Sequence, residues 1–213
     1  MRIGKAVLGL TAGLALGLAG GAQGTTLADL NGGASLTVGG LTFSDFTITV
    51  TGSLDPNLAD YKVLSLSDGF RIAGGFAAVD AEQGDMLVSY DVNAAAGSPA
   101  VNDIRLAFNG FAAGPHSAAN VTENLSSSDG SSIASANVFA VTGGTSQFVD
   151  TATFAPQTSF SVDKDILVKA GDGGLATISF INQEFSVVPE PGSLVLLGSG
   201  LAGLFAFGRR QVR

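Results

Sequence analysis

The chain has a single histidine, His116, in the loop Gly114-Pro115-His116-Ser117. A Ser-His-Asp relay could be built only around it, and no Gly-x-Ser-x-Gly elbow accompanies it. An isolated loop histidine reads as a solvated side chain. Glycoside hydrolysis by acids alone needs two carboxyls flanking a cleft. Seventeen acids between residues 25 and 188 make such pairs inevitable, yet no spacing singles one out. No catalytic residue is therefore expected, and the chain reads as a non-enzyme. Oxygen clusters that would suit a hard cation are Asp163 with Asp165, Asp172 in its glycine turn, Asp80 with Glu82 and Asp85, and Asp129. None forms a continuous D-x-D-x-D loop, and Lys164 interrupts the first pair. Turn-forming aspartates are the expectation, with no metal or other cofactor. Asn120-Val121-Thr122 and Asn124-Leu125-Ser126 fit the N-glycosylation pattern, and Ser126-Ser127-Ser128 could accept O-linked sugars. The aromatics are phenylalanines plus Tyr61 and Tyr90, with no tryptophan, a poor set for stacking sugars.

The more specific chemistry lies at the chain ends, and it is processing. Pro189-Glu190-Pro191 cannot donate into a sheet ladder, and each proline biases its predecessor toward extended backbone. Behind it run 17 uncharged residues, 192–208. As a helix they would span about 26 Å, the lower limit for crossing a bilayer. Arg209, Arg210 and Arg213 then supply a membrane stop. At the other end Arg2 and Lys5 precede an apolar run from Ala6 to Ala19 and the small residues Gly20, Gly21 and Ala22. This is the pattern of a signal helix, cleaved between Ala22 and Gln23 or, alternatively, after Gly24. Both basic flanks face the cytoplasm and the acidic middle lies outside. An extended tripeptide just outside a membrane helix is open to a membrane-bound protease.

The order of signal peptide, ectodomain, Pro-Glu-Pro, short apolar helix and arginine cluster resembles the PEP-CTERM proteins of Gram-negative bacteria. The resemblance implies recognition of the tail by exosortase, an integral-membrane cysteine transpeptidase-like enzyme. It implies cleavage near Pro189, Glu190 and Pro191, with Arg209 and Arg210 as the stop. It further implies transient anchoring in the inner membrane, then release to the cell surface or extracellular matrix, where exopolysaccharide is the expected associate. Gly40-Leu41-Thr42-Phe43-Ser44-Asp45-Phe46, the stretch from Asp85 to Tyr90, and Val162-Asp163-Lys164-Asp165-Ile166 resemble a recurring ectodomain type of the same proteins. That likeness implies one sandwich domain and a location, but no biochemical activity.

Charge and composition agree with an exported domain. Residues 25–188 hold five bases against seventeen acids, a net of −12. Such a surface repels phosphate backbones, so no nucleic-acid partner is expected. The absence of cysteine rules out disulfides and a lipidated cysteine, leaving core and ladders to supply stability.

Period-two patterns dominate that middle. Phe46, Ile48 and Val50 alternate with threonines; Phe70, Ile72, Gly74 and Phe76, then Met86, Val88, Tyr90 and Val92, then Ile104, Leu106 and Phe108 follow the same rule. Further strands are predicted over 120–126, 133–142, 158–169 and 175–187, with turn clusters between them and no sustained helical period. Nine or ten short strands predict an all-β fold: a single β-sandwich with jelly-roll or Greek-key connections, or a closed barrel. The expected organisation is a signal peptide over 1–24, the ectodomain over 25–186 and the sorting tail over 187–213. The expected function is an exported, exosortase-processed surface or matrix protein associated with exopolysaccharide or biofilm. The alternatives are a carbohydrate- or calcium-binding module on the same scaffold, and a hydrolase using acids alone.

Overall fold

A computed structural model describes residues 24–188. The signal segment with Ala22 and Gln23, and the tail with Pro189, Glu190, Pro191, Arg209, Arg210 and Arg213, lie outside the described residues, as do both expected terminal helices. No helix among the described residues is long and apolar enough to cross a membrane.

Eleven antiparallel strands form two sheets. The six-stranded sheet runs β1 (Leu36–Val38), β2 (Leu41–Gly52), β5 (Gln83–Ala94), β10 (Ser159–Lys169), β7 (Ala118–Ser126), β8 (Ser132–Val141). The five-stranded sheet runs β3 (Lys62–Ser65), β4 (Gly69–Val79), β11 (Leu175–Val188), β6 (Ala100–Ala113), β9 (Val149–Gln157). β11 thus continues two residues into the segment assigned to the tail.

The pairings fold one long ribbon back on itself. β7 pairs with β8, β6 with β9, β5 with β10 and β4 with β11, and each step along the ribbon changes sheet. Wrapping brings β10 beside β7 and β11 beside β6, which completes both sheets. This strand order is a jelly roll. β1 and β2 extend the sheet beyond β5, and β3 covers the edge of β4.

The alternations place their apolar residues inward as expected. Phe70, Ile72 and Phe76 of β4, Met86, Val88, Tyr90 and Val92 of β5, and Ile104, Leu106 and Phe108 of β6 are all buried. Between the sheets Phe43, Phe46, Tyr90 and Phe160 interleave with Phe70 and Phe185. Three strands went unread in the sequence, β1, β3 and β9, because they are short or half-exposed edges without a clean alternation. The structure also adds a five-residue helix, α1 (Leu27–Asn31), too short to show a period. Thr26 caps it: its Oγ1 accepts from Asp29 N at 3.2 Å and its N–H donates to Asp29 Oδ2 at 2.8 Å. Leu27 and Leu30 are thereby pressed fully into the core.

Tyr61 sets one of the spacings that demand a glycine. Its OH donates to Asp55 O at 3.0 Å, and its ring lies where a Cβ on Gly74 would meet it at 2.5 Å.

Phe43 has no exposed surface and touches rings of both sheets, with Phe70 at 5.1 Å and Phe185 at 5.5 Å between centroids. Phe43→Ala leaves a hole that neither sheet can close alone. Urea denaturation should show a loss of about 3–5 kcal/mol.

Candidate functional site

Residues opposite one another in an antiparallel ladder share a face, so the registers define the surfaces. The outer face of the six-stranded sheet is built of rows of small polar groups. One row is Thr47, Ser89, Asp163, Asn124, Ser135; the next is Thr49, Leu87, Asp165, Thr122, Asn137. Ser89 Oγ donates to Asp163 Oδ1 at 2.5 Å and Ser161 Oγ to Asp91 Oδ1 at 2.6 Å. Lys169 is the single base on this outer face, at its end, while Asp85, Asp91, Asp163 and Asp165 cluster across β5 and β10.

The aspartate groupings read from the sequence resolve differently in space. Asp163 is engaged by Ser89, whereas Asp165 faces Asp85 from the neighbouring strand. Partial burial first, and then the charge and hydrogen bonding of Asp85, hold the Asp165 carboxyl above its ordinary value. Asp129 closes the β7–β8 turn by accepting from Ser127 Oγ and from Ser131 N at 2.9 Å; these bonds pull it down to about 2. Asp80 Oδ1 accepts from Gly173 N at 3.1 Å, tying its turn to the one that holds Asp172. Among the described residues no group of three or more His, Cys, Asp or Glu could hold a metal ion. His116 lies exposed in the β6–β7 turn with a left-handed φ of 55°, and its neighbour Ser117 is buried and spent on Gly171 N at 3.2 Å.

The five-stranded sheet presents different chemistry. One row crosses all five strands: Leu64, Arg71, Asn182, Ala107, Val149. Arg71 donates from Nε to Asn182 Oδ1 at 2.7 Å and lies 4.1 Å over the Phe180 ring. In the adjoining row Arg105 Nη1 pairs with Glu184 Oε2 at 2.6 Å. Lys62, Arg71 and Arg105, three of the five bases in residues 25–188, stand on this face. Both tyrosines are buried, so neither joins an exposed platform.

The remaining polar group is internal and was missed from sequence. Lys164 of β10 and Glu123 of β7 are paired directly across the ladder, face inward and have no exposed surface. Lys164 Nζ donates to Glu123 Oε2 at 3.0 Å and to Gln183 Oε1 of β11 at 2.7 Å, while Tyr90 OH donates to Glu123 Oε1 at 3.2 Å. Burial pushes the Lys164 amine below its ordinary value, opposed by Glu123. Burial, then the Glu123 charge and hydrogen bond, hold the Tyr90 phenol well above its own. Lys164, Glu123 and Gln183 each interrupt an apolar alternation, as in Phe160, Val162, Lys164, Ile166, Val168.

The segment with the proline and arginine motifs overlaps the end of β11. The PEP-CTERM protein-sorting motif matches residues 187–211, spanning Pro189, Glu190, Pro191, Arg209 and Arg210. The chain carries a PEP-CTERM sorting motif. Such a motif marks export, transient membrane anchoring through the C-terminal region and processing by exosortase. Its first two residues, Val187 and Val188, are the last two of β11, paired with Val101 and Ala100. No curated protein matches the chain.

Among solved structures, TmCBM61 in complex with beta-1,4-galactotriose is similar at 13% identity and a TM-score of 0.34, over 65% of this chain and 88% of that one. The enzymatically active domain of bacteriophage CBA120 tailspike protein 4 gives 12% and 0.30, over 69% of this chain and 19% of the other. A carbohydrate-binding module of the beta-sandwich super family gives 11% and 0.29, over 72% and 58%. At these scores the jelly roll rests on the strand order alone.

The Asp165 carboxyl supplies a signed pH dependence. A carboxyl held above its ordinary value binds its proton more tightly in the folded chain, so ionising it at neutral pH opposes folding. Asp165→Asn should raise the melting temperature by a few degrees at most at pH 7. The advantage should vanish as the pH falls below 3.8, the ordinary aspartate value. Calorimetric scans of both proteins across pH check this.

Proposed function

We propose that this PEP-CTERM protein is a non-enzymatic component of the cell surface or extracellular matrix of a Gram-negative bacterium. In this reading exosortase cleaves near Pro189, Glu190 and Pro191, Arg209, Arg210 and Arg213 stop the tail at the inner membrane, and the jelly roll is released into an exopolysaccharide-rich layer. The observation that carries the reading is the sorting motif, placed without a linker against the end of β11. Cleavage at that point leaves every strand of the roll intact. The six-stranded outer face supports the destination. Its hydroxyls, amides and carboxylates suit a hydrated polymer, and its charge favours solubility.

A second reading is favoured by Arg71 and Asn182, which share a row of the five-stranded sheet, and by Phe180 beside them. A guanidinium stacked on a half-buried ring, beside an amide, offers a planar cation and polar groups that would hold a sugar's hydroxyls. In that case the five-stranded outer face is a carbohydrate-binding surface. Phe180→Ala, which also frees Arg71, should then abolish the calorimetric heat with oligosaccharides cut from the host's own exopolysaccharide in a chain that still melts cooperatively. Absence of heat with the unmodified protein removes this reading alone.

The sorting reading is tested by intact mass and compartment, in the native host with and without exosortase. The expected mature species begins near Gln23, ends near Pro189 and leaves the inner membrane only when exosortase is present. A species that keeps residues 192–213 in both strains would overturn it, and excess mass would report attached glycan.

A further inference from the structure

The buried Lys164–Glu123–Gln183 group has the parts of a reaction as well as those of an ion pair. Lys164 Nζ lies 2.7 Å from Gln183 Oε1. With a carbonyl bond of about 1.23 Å, the amide carbon Cδ sits no more than about 3.9 Å from that nitrogen. The amide cannot be turned round, because an amine that donates to it must meet its oxygen. Its Nε2 is left inside the core without a hydrogen-bond partner among the described residues. Glu123 touches the same amine through Oε2 at 3.0 Å and is itself steadied by Tyr90 OH on Oε1. All three side chains are fully buried, so water does not compete as a nucleophile. We propose that Lys164 and Gln183 join in an intramolecular isopeptide bond, with Glu123 carrying the protons.

The step balances without any oxidant or co-reactant. The Lys164 ammonium gives a proton to the Glu123 carboxylate, and the freed amine attacks Gln183 Cδ to form the new C–N bond. Glu123 hands its proton to Nε2 and takes one from the attacking nitrogen. The tetrahedral centre then collapses, the bond from Cδ to Nε2 breaks and ammonia leaves. What remains is a secondary amide and a neutral Glu123 acid.

The direction follows from the core. Before reaction it holds two opposite charges and an unpaired amide N–H₂, each carrying a desolvation penalty. Afterwards it holds neither charge, and the group lacking a partner has left as ammonia. Burial already lowers the Lys164 amine, which favours the nucleophilic form. Fixed placement on strands of opposing sheets supplies the proximity that such an attack requires. The bond would staple β10 to β11, and so one sheet to the other, in an exported chain that has no cysteine to do so.

The test is peptide mapping of the full mature chain, purified after export, denatured and digested with trypsin. The expected product is a branched species in which cleavage after Lys164 is blocked, and the peptide holding it is joined to the one holding Gln183, one ammonia lighter than their sum. Linear peptides ending at Lys164, at full mass, would overturn the proposal. An ammonia lost from an N-terminal Gln23 would appear in a different peptide and would count against the bond if it were the sole loss. Glu123→Gln keeps the shape but cannot shuttle the proton. Folded Glu123→Gln protein should contain no branched species, and a bond that still forms there would overturn the role of Glu123. If that variant does not fold, the map of the unmodified chain decides the proposal by itself.

Discussion

The contact on which the rest of the structure depends is Lys164 against Glu123, buried at the middle of the six-stranded sheet and reaching Gln183 in the other. Isolated charges at such depth cannot be tolerated, and removal of one partner from a buried pair costs about 3–5 kcal/mol. The pair therefore constrains the fold more than it stabilises it. A one-residue slip of β10 would turn Lys164 to solvent and bring Asp163 and Asp165 into the core. Only the observed register places the lysine opposite Glu123 while keeping both aspartates on the wet face. Tyr90 links this polar centre to the aromatic cluster, since its ring stacks at 5.0 Å on Phe46 while its hydroxyl holds Glu123.

That constraint matters because the topology is non-local. The last strand, β11, is the centre of the five-stranded sheet and bonds to β4 and β6. Arg71 and Asn182, 111 residues apart, meet there. Neither sheet is complete until the chain has been delivered almost to its sorting motif. Contacts of such separation form slowly and leave strand edges open meanwhile. A register fixed by charge in β10, and by Gln183 in β11, favours the correct pairing when those final strands arrive.

Most of the fold was readable in the sequence, and the failures have physical causes. The eight strands forming the roll proper include seven that announce themselves by alternation, from the phenylalanines of β4 to Ile178 and Phe180 near the end. β9 is silent because its outer position leaves it half-exposed and without a clean apolar face. Strand order could not be read, since alternation says which face is buried and nothing about which strand lies alongside. The aspartates show the same limit. Asp163 and Asp165 are neighbours in sequence but serve different partners, and the close pair, Asp85 with Asp165, is separated by 80 residues and created by the ladder. Lys164 was visible as an interruption of those acids, yet its meaning lay in the apolar residues two positions away on either side.

The two outer faces divide the charge of the domain, and the ladder registers explain why. On β5 and β10, Asp163 and Asp91 each accept from a serine hydroxyl of the neighbouring strand, while Asp85 and Asp165 face each other. Bases on β3, β4 and β6 gather opposite Glu184, Asn182 and the Phe180 ring. The ends of the roll differ as well. β11 ends at Val188 beside Ala100, close to the turns at Gly39-Gly40, Ser67-Asp68 and Ala95–Pro99, which carry Asp68 as their single charge. The far end gathers the turns with Asp80, Glu82, His116 and Asp172, tied together through Gly171, Gly173 and Gly174. Asp129 of the β7–β8 turn lies at the same end as Asp68, since Ser126 at the end of β7 pairs with Ser161 at the start of β10. The ladder registers therefore put acids at both ends of the roll and gather three of the five bases on one outer face.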